Sequence, residues 1–507
     1  MRTNDPYDEA HWPDDLPLRE PDDDPYGEDH GVHEGARGED HGDEDTLDDV
    51  DAGQWRSQPL GERLAAEHLA GRYLYARGVG WHHWDGTRWA PSHEDELIRQ
   101  AHKFVIAELH RLIDKPYDTD KLVDAVTRYR ETGALAQLVR AARTVPTISV
   151  DGGDLDAVPG LLNCANGLVD LRTGELLAHD PARLITKTTG VAYRPEARHR
   201  DWDKALQALP DDVTRQWVQE HLGSAATGET DRDAPVVFHK GLGANGKSTL
   251  IGGPVAALGD FAVLVPDKLL ANDSGHETVW MPLRGARLAY LEELPEEHVL
   301  PVARIKKLAS TPQITARAIG KDNVTWDATH VLIVATNYFP RVNETDHGTW
   351  RRLAMIDYPH TFKGAAKDTQ LKSRLRRGKA QREAVLAWLV EGARRWYANG
   401  CDTGELPEAV NEATAEWRTE GDELGKFLNE RVNVTGDPAH RITTKDLLLH
   451  FNTWLENNRN RAWSLTLLGQ RLRSHHFVTE NTLVTYDRGD RGRQATGLTG
   501  CRLETWT

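Results

Sequence analysis

The stretch that most restricts how this chain folds is PVVFHKGLGANGKSTL, Pro235 to Leu250. Val236 to Phe238 is an apolar run and reads as a strand. A glycine loop follows from Gly241 to Gly246, and Lys247, Ser248 and Thr249 open a helix. The order is G-x-x-x-x-G-K-[ST], and each part has a physical task. Gly241, Gly243 and Gly246, with Ala244 and Asn245 between them, let backbone N–H groups curl around phosphate oxygens. The helix N-terminus adds partial positive charge. Lys247 can reach the β- and γ-phosphates of a nucleotide, and the Ser248 hydroxyl, next to Thr249, can hold Mg²⁺. A glycine turn before a helix is the plain alternative, and the strand-loop-helix order argues against it.

Three later segments carry chemically useful side chains, two of them at the end of a strand. In RLAYLEELPEE, Leu288 to Leu291 reads as a buried strand that runs into Glu292 and Glu293. A hydrolytic phosphate-loop site needs one acid near Mg²⁺ and one to orient or deprotonate water. Adjacent residues at a strand end point to opposite sides, so the two can divide those tasks. Glu292 toward the metal and Glu293 as base is the first assignment, with the swap open. Glu296 and Glu297 keep a solvated acidic turn as the alternative. In THVLIVATNYFP, His330 to Ala335 reads as a strand, and Asn337 beyond it can hold a water or the γ-phosphate. In ETDHGTWRRL, Arg351 or Arg352 is suited to stabilise a transferring phosphate on a neighbouring subunit, worth about 10³ to 10⁵ in rate. A surface ion pair is the alternative.

The segment KKLASTPQITARAIGKDNVTW lies between the acid pair and the asparagine. Alternation from Ile314 to Ile319, then Gly320-Lys321-Asp322-Asn323, then Val324 to Trp326, predicts a hairpin with a basic tip. Single-stranded nucleic acid in a central channel would meet such tips from each subunit. Lys321 is the first candidate for DNA contact, with Lys306, Lys307 and Arg317 behind it.

The net charge of −17 misleads if taken whole. Residues 1–51 hold 20 Asp and Glu against three Arg, and the remainder carries 59 acidic and 59 basic residues. The body is therefore balanced, and any nucleic-acid contact has to come from local basic clusters. Residues 1–56 are too polar to bury a core and read as a disordered acidic tail. A DNA mimic that competes for a basic channel is the sharper alternative. Cys164, Cys401 and Cys501 form no Cys-x-x-Cys pair, which argues against a disulfide framework or a cysteine zinc site. No apolar run of membrane-spanning length and no secretory leader stands out, so no membrane partner and a place in the cytoplasm of a bacterial host are expected.

An N-terminal α+β domain is expected over 57–200. WHHWDGTRW predicts an aromatic hairpin with an Asp-Gly turn, its histidines packing rather than binding metal. Ser92 reads as the cap of a helix with Leu97, Ala101, Phe104, Val105, Leu109 and Leu112 on its apolar face. LLNCANGLVDLRTGELLAHDP reads as short strands joined by tight turns. The core, 201–395, opens with a helical lead-in from Trp202 to about Leu222. Alternating strands and helices then predict an α/β parallel sheet with helices on both faces, closed by a helix from Ala380 to Tyr397. Residues 396–507 give helices at Thr444–Asn458 and Leu465–His475 and a β-rich end. This is the order of a winged-helix-like domain, which binds DNA or serves as a protein contact.

These motifs in this order resemble the superfamily-three helicases, and most closely the phage and plasmid primase–helicase family of satellite-phage and poxvirus type. GARLAYLEELPEE, KKLASTPQITAR, VLIVATN and TDHGTWRRLA carry the likeness. WHHWDGTRW, NCANGLVDLRTGELLAHDP and the run from Trp417 to Asn458 extend it to most of the chain from about residue 70. The resemblance implies an AAA+ motor that forms a ring, as a homohexamer, and moves 3′-to-5′ on DNA with ATP between subunits. Lys247 and Ser248, Glu292 and Glu293, Asn337, and Arg351 or Arg352 fall on the family's Walker A, Walker B, sensor and finger positions. Lys321 falls at the tip of its DNA-binding hairpin.

Two departures stand out. Many members carry a glycine-glycine-acid segment where this chain has Ser310-Thr311-Pro312. Many also carry an N-terminal primase, and the folded part ahead of the core shows no acid pair and His arrangement for primer synthesis. The expectation is an ATP-dependent DNA helicase with Mg²⁺ that unwinds forked and binds single-stranded DNA in phage or plasmid replication, working with a separate primase or polymerase. A bifunctional primase–helicase and an ATP-switched initiator or DNA-binding regulator remain the alternatives.

Overall fold

The computed structural model describes residues 55–113, 119–229, 234–266, 269, 277–292, 300–342, 347–364, 367–458, 462–473, 475, 477, 478, 481, 484–490 and 493–504. The acidic tail up to residue 54 and Glu293 lie outside the described residues.

Strands β1 (Tyr73–Arg77), β2 (Gly80–Trp84) and β3 (Trp89–Pro91) form an antiparallel meander. Strand β4 (Ser149–Asp151) joins β1 in parallel. The Asp85-Gly86 turn follows the expected hairpin: Asp85 Oδ1 accepts the backbone N–H groups of Thr87 and Arg88, both at 2.8 Å. His82 is buried, with Nδ1 3.1 Å from the Gly80 carbonyl. The helix Glu94–Ile113 buries Leu97, Ala101, Phe104, Val105 and Leu109, a stripe of helical period.

A second meander, β5 (Leu161–Cys164), β6 (Gly167–Asp170) and β7 (Leu176–Leu177), packs into the cluster that holds Trp202, Trp217 and Leu222. The lead-in is two helices, Arg200–Leu206 and Asp212–Thr227, rather than one. Pro210 lacks an N–H, and Asp211 caps the second helix by accepting the Thr214 N–H at 2.6 Å.

Beyond them come β8 (Val236–Lys240), β9 (Ala262–Leu264), β10 (Leu288–Leu291), a hairpin of β11 (Gln313–Ala316) and β12 (Val324–Asp327), then β13 (Val331–Thr336) and β14 (Leu353–Asp357). Five of these make one parallel sheet in the order β14-β8-β13-β10-β9. Their apolar runs alternate between two faces, as period-2 geometry requires. Val237, Leu288, Ile333 and Ile356 meet the helices Lys247–Leu258 and Lys379–Ala398. Val236, Phe238, Leu291, Val334 and Met355 meet the helix Val302–Ser310 and the helix Glu408–Gly421.

Packing therefore continues across residues 200 and 396, the two borders expected from the order of strands and helices. The helix Glu408–Gly421 docks on β14, where Thr414 Oγ1 accepts the Met355 N–H at 2.9 Å. Its Trp417 is fully buried between Phe238 and Trp350, and its indole N–H donates to the Pro340 carbonyl at 2.7 Å.

The C-terminal part adds the helices Glu423–Arg431, Thr444–Asn457 and Leu465–Arg473. Strand β15 (Val432–Val434), β16 (Arg441–Thr443), β17 (Val484–Asp490), β18 (Arg493–Thr499) and β19 (Cys501–Leu503) follow in chain order. They pair as β15-β19 and β16-β18-β17. No helix among the described residues is long and apolar enough to cross a membrane.

Candidate active site

Strand β8 delivers the chain into a loop that only small residues can make. Gly243, Ala244 and Gly246 have φ of 98°, 52° and 85°. A Cβ on Gly241 would stand 1.6 Å from Asn245 Nδ2, and one on Gly246 would stand 2.8 Å from the Ala208 methyl. Phe362 holds the outside of the loop, its N–H donating to the Ala244 carbonyl at 2.9 Å. Asn245 is 4% exposed, and among the described residues its amide nitrogen has no acceptor. A buried donor without a partner costs roughly 1–3 kcal/mol. An anion seated in the loop would remove that cost, so the cradle fits a nucleotide phosphate.

Lys247 begins the helix and is 4% exposed. Its ammonium donates to the carbonyls of Thr336 and, at 3.4 Å, Gly241. It also donates to Asn337 Oδ1 at 2.9 Å. Parallel pairing of β8 with β13 brings these together, because Thr336 stands opposite Lys240. Asn337 is thus joined to Lys247 directly.

Ser248 and Glu292 line one cavity between the helix Lys247–Leu258 and the ends of β10 and β13. Glu292 is exposed at its mouth. Lys372 and Arg376, from the helix Leu371–Arg377, line the same cavity. Arg376 lies over Gly252, where an added Cβ would stand 3.9 Å from its Cγ. Among the described residues neither cation makes a hydrogen bond or ion pair. Sequence reasoning missed both. Leu371 and Leu375 are buried in the cluster that holds Leu250 and Ile251 of the loop helix, and Lys372 and Arg376, each one position further on, come to the cavity beside them.

Strand β10 is fixed by Arg287, which sequence reasoning also passed over. Its buried guanidinium donates to the carbonyls of Ala226 at 2.6 Å and Leu161 at 2.5 Å, and burial pushes its pKa down to about 10. Below the loop, His239 is fully buried on β8 and shares a 2.9 Å hydrogen bond between Nδ1 and the Tyr358 hydroxyl. Burial, with Lys247 and His221 nearby, holds its pKa down near 3.

The two candidate arginines part company. Arg352 is half-buried and donates to Ser310 Oγ at 2.5 Å. Arg351 is exposed. Ser310 belongs to the segment that departs from the family pattern. That segment turns the chain from the helix Val302–Ser310 into β11, with the Pro312 carbonyl accepting the Ala328 N–H at 2.9 Å.

The hairpin forms as expected, in the register Ile314↔Trp326 and Ala316↔Val324. Its tip carries Lys321 and Arg317, both exposed, and Ile319 at 90% exposure. Lys306 and Lys307 are elsewhere, on the helix Val302–Ser310. The Lys306 ammonium donates to Thr349 Oγ1 at 2.6 Å, and Lys307 lies 6.0 Å from the centroid of the Trp280 ring.

The fold and site define a mixed α/β protein built on a parallel sheet, with a phosphate-type loop at the end of β8. Residues 61–211 match the family described as "D5 N terminal like". The chain is 25% identical over 330 residues to "Putative primase C962R" of African swine fever virus, covering 60% of this chain and 34% of that one. It is 25% identical over 393 residues to "Putative helicase 184R" of Invertebrate iridescent virus 6, covering 70% of this chain and 40% of that one. The chain thus spans well under half the length of these curated relatives. Among solved structures, the apo NrS-1 C-terminal region aligns with a TM-score of 0.37 and 14% identity, over 62% of this chain and 80% of that one. The likeness is thus to one family model over residues 61–211 and, over the longer stretch, to viral proteins named as a putative primase and a putative helicase.

Proposed function

We propose that this chain is an ATP-dependent DNA helicase of the ring-forming AAA+ type, acting in phage or plasmid replication in the cytoplasm of its host. The observation that carries the reading is the meeting of Lys247, Ser248, Glu292 and Asn337 beyond the carboxyl ends of β8, β10 and β13, the three inner strands of the sheet. The strand order β14-β8-β13-β10-β9 supports the AAA+ core. The β16-β18-β17 sheet beside the helices Thr444–Asn457 and Leu465–Arg473 supports a winged-helix-like end.

In this reading the loop from Gly241 to Gly246 wraps the ATP phosphates and Lys247 balances their charge. Lys247 exchanges protein carbonyl partners for phosphate oxygens, and Asn337 keeps the ammonium aimed. Ser248 and Glu292 would hold Mg²⁺, which when bound would neutralise charge that develops on the phosphates. Glu293 is proposed as the base that orients water. Lys372 and Arg376 face the same charge from the cavity's far side. Arg351, rather than Arg352, is the finger offered to the next subunit of a homohexamer. Lys321 and Arg317 at the hairpin tip meet single-stranded DNA during 3′-to-5′ movement.

The test is forked-DNA unwinding and DNA-stimulated ATP hydrolysis by the purified full chain and by Lys247→Ala. Loss of both in the variant is expected, and robust unwinding by it would sink the reading. Primer synthesis on a bare template would favour the bifunctional alternative. Assembly on DNA without unwinding would favour a switch.

A further inference from the structure

A two-stranded hairpin is at best marginal in water unless something backs it. In β11 and β12 one face is buried, through Ile314, Ala316, Val324 and Trp326, and the other is exposed. The buried face is shared with Val79, which belongs to the N-terminal meander. The contact extends to the backbone. The β1–β2 turn and the loop after β4 bring three glycines against β12 and the tip. A Cβ on Gly78 would stand 2.4 Å from Val324 Cγ2 and 3.1 Å from the Asp322 carbonyl. A Cβ on Gly152 would stand 3.1 Å from Val324 Cγ1, and one on Gly153 only 2.3 Å from the Thr325 carbonyl. Asp151 braces the loop, its Oδ1 accepting the Gly153 N–H at 3.0 Å and its Oδ2 paired with Arg77 at 3.1 Å.

We infer that the Gly78-Val79 turn and the Gly152-Gly153 loop are the seat of the DNA hairpin, so that the N-terminal sheet sets where Lys321 stands. This rests on the reading of the tip as the DNA contact. The seat begins at Asp322, the residue next to Lys321. A shift of the β12 backbone by the width of a methyl group would therefore move the tip by a comparable distance. The phosphate loop lies at the end of β8, and none of the seat residues touches it. Gly78, Val79, Gly152 and Gly153 are positioning residues: they touch neither nucleotide nor DNA, and act through β12.

The experiment compares full-length wild type, Gly153→Ala, Val324→Ala, Lys321→Ala and the double variant Gly153→Ala/Lys321→Ala. Basal ATP hydrolysis and affinity for a labelled single-stranded oligodeoxythymidine are measured on each. Gly153→Ala pushes β12 off its seat, and Val324→Ala empties the contact without a clash. Both are expected to keep basal hydrolysis within about twofold and to lose affinity about five- to tenfold, as Lys321→Ala does. The double variant is expected to lose no more than Lys321→Ala alone, because the two changes act on one contact. Additive losses would mean a general structural effect and would overturn the inference. Wild-type DNA affinity in both Gly153→Ala and Val324→Ala, with Lys321→Ala weakened, would overturn it while sparing the tip reading. Wild-type affinity in Lys321→Ala would overturn the tip reading and the seat together.

Discussion

The Lys247 ammonium donates to the Asn337 side-chain carbonyl at 2.9 Å, across 90 positions of sequence. Asn337 and the Thr336 carbonyl hold the lysine from the neighbouring strand, so in the proposed reading it is aimed ahead of the phosphate. Asn337→Ala should then lower the turnover of ATP more than it weakens ATP binding, by about 10²-fold for the loss of one oriented polar group. Steady-state kinetics separate the two. A rise in KM with unchanged kcat would show that Asn337 only helps to bind.

Lys372 and Arg376 supply positive charge to the cavity that Ser248 and Glu292 line. Replacing either with Ala should weaken ATP binding relative to ADP by about tenfold, since a third phosphate adds the charge they would face. Arg377, on the same helix, does not line that cavity, and Arg377→Ala is the control. Equal effects from all three would point to the overall charge of the helix.

Arg351 and Arg352 should fail differently. Arg352→Ala removes the donor to Ser310 Oγ and should lower the melting temperature. Arg351→Ala should keep the wild-type melting temperature and lose ATP hydrolysis. If the finger works in trans, mixing Arg351→Ala with Lys247→Ala restores part of the activity, because some interfaces pair an intact loop with an intact finger. Two inactive variants that stay inactive when mixed would argue against a shared site.

Among the described residues, burial keeps His82, His221, His239 and His330 neutral. Burial holds the pKa of His82, His221 and His330 down near 4 and that of His239 near 3. The unfolded chain takes up protons near pH 6.5 and the folded chain does not, so stability is full above 6.5 and falls as pH drops toward 4. By pH 5 each such group costs up to about 2 kcal/mol. Thermal melts at pH 7 and pH 5 should show a fall in midpoint, and imidazole NMR signals of these four should not titrate above pH 5.

Legibility in the sequence followed how local the signal was. The loop from Gly241 to Gly246, the strand before Glu292 and the hairpin around Lys321 are each coded within a dozen residues, and each formed in the expected place. The split at Pro210 was local too, and was missed because the apolar period continues through it. Lys372, Arg376 and the Gly153 contact were not legible. Their partners sit far away in sequence, and the residues themselves look like surface charge and ordinary turns. Lys306 shows the converse: a lysine beside a promising motif whose ammonium is taken by Thr349.

Trp417 carries a practical consequence for anyone who shortens this protein. Its indole covers Phe238, on the strand that leads into the phosphate loop, and Trp350, next to the exposed arginine. A fragment ended near residue 400 would leave both rings facing water and would be prone to clump. A fragment that keeps this packing has to run at least through Gly421, where that helix ends.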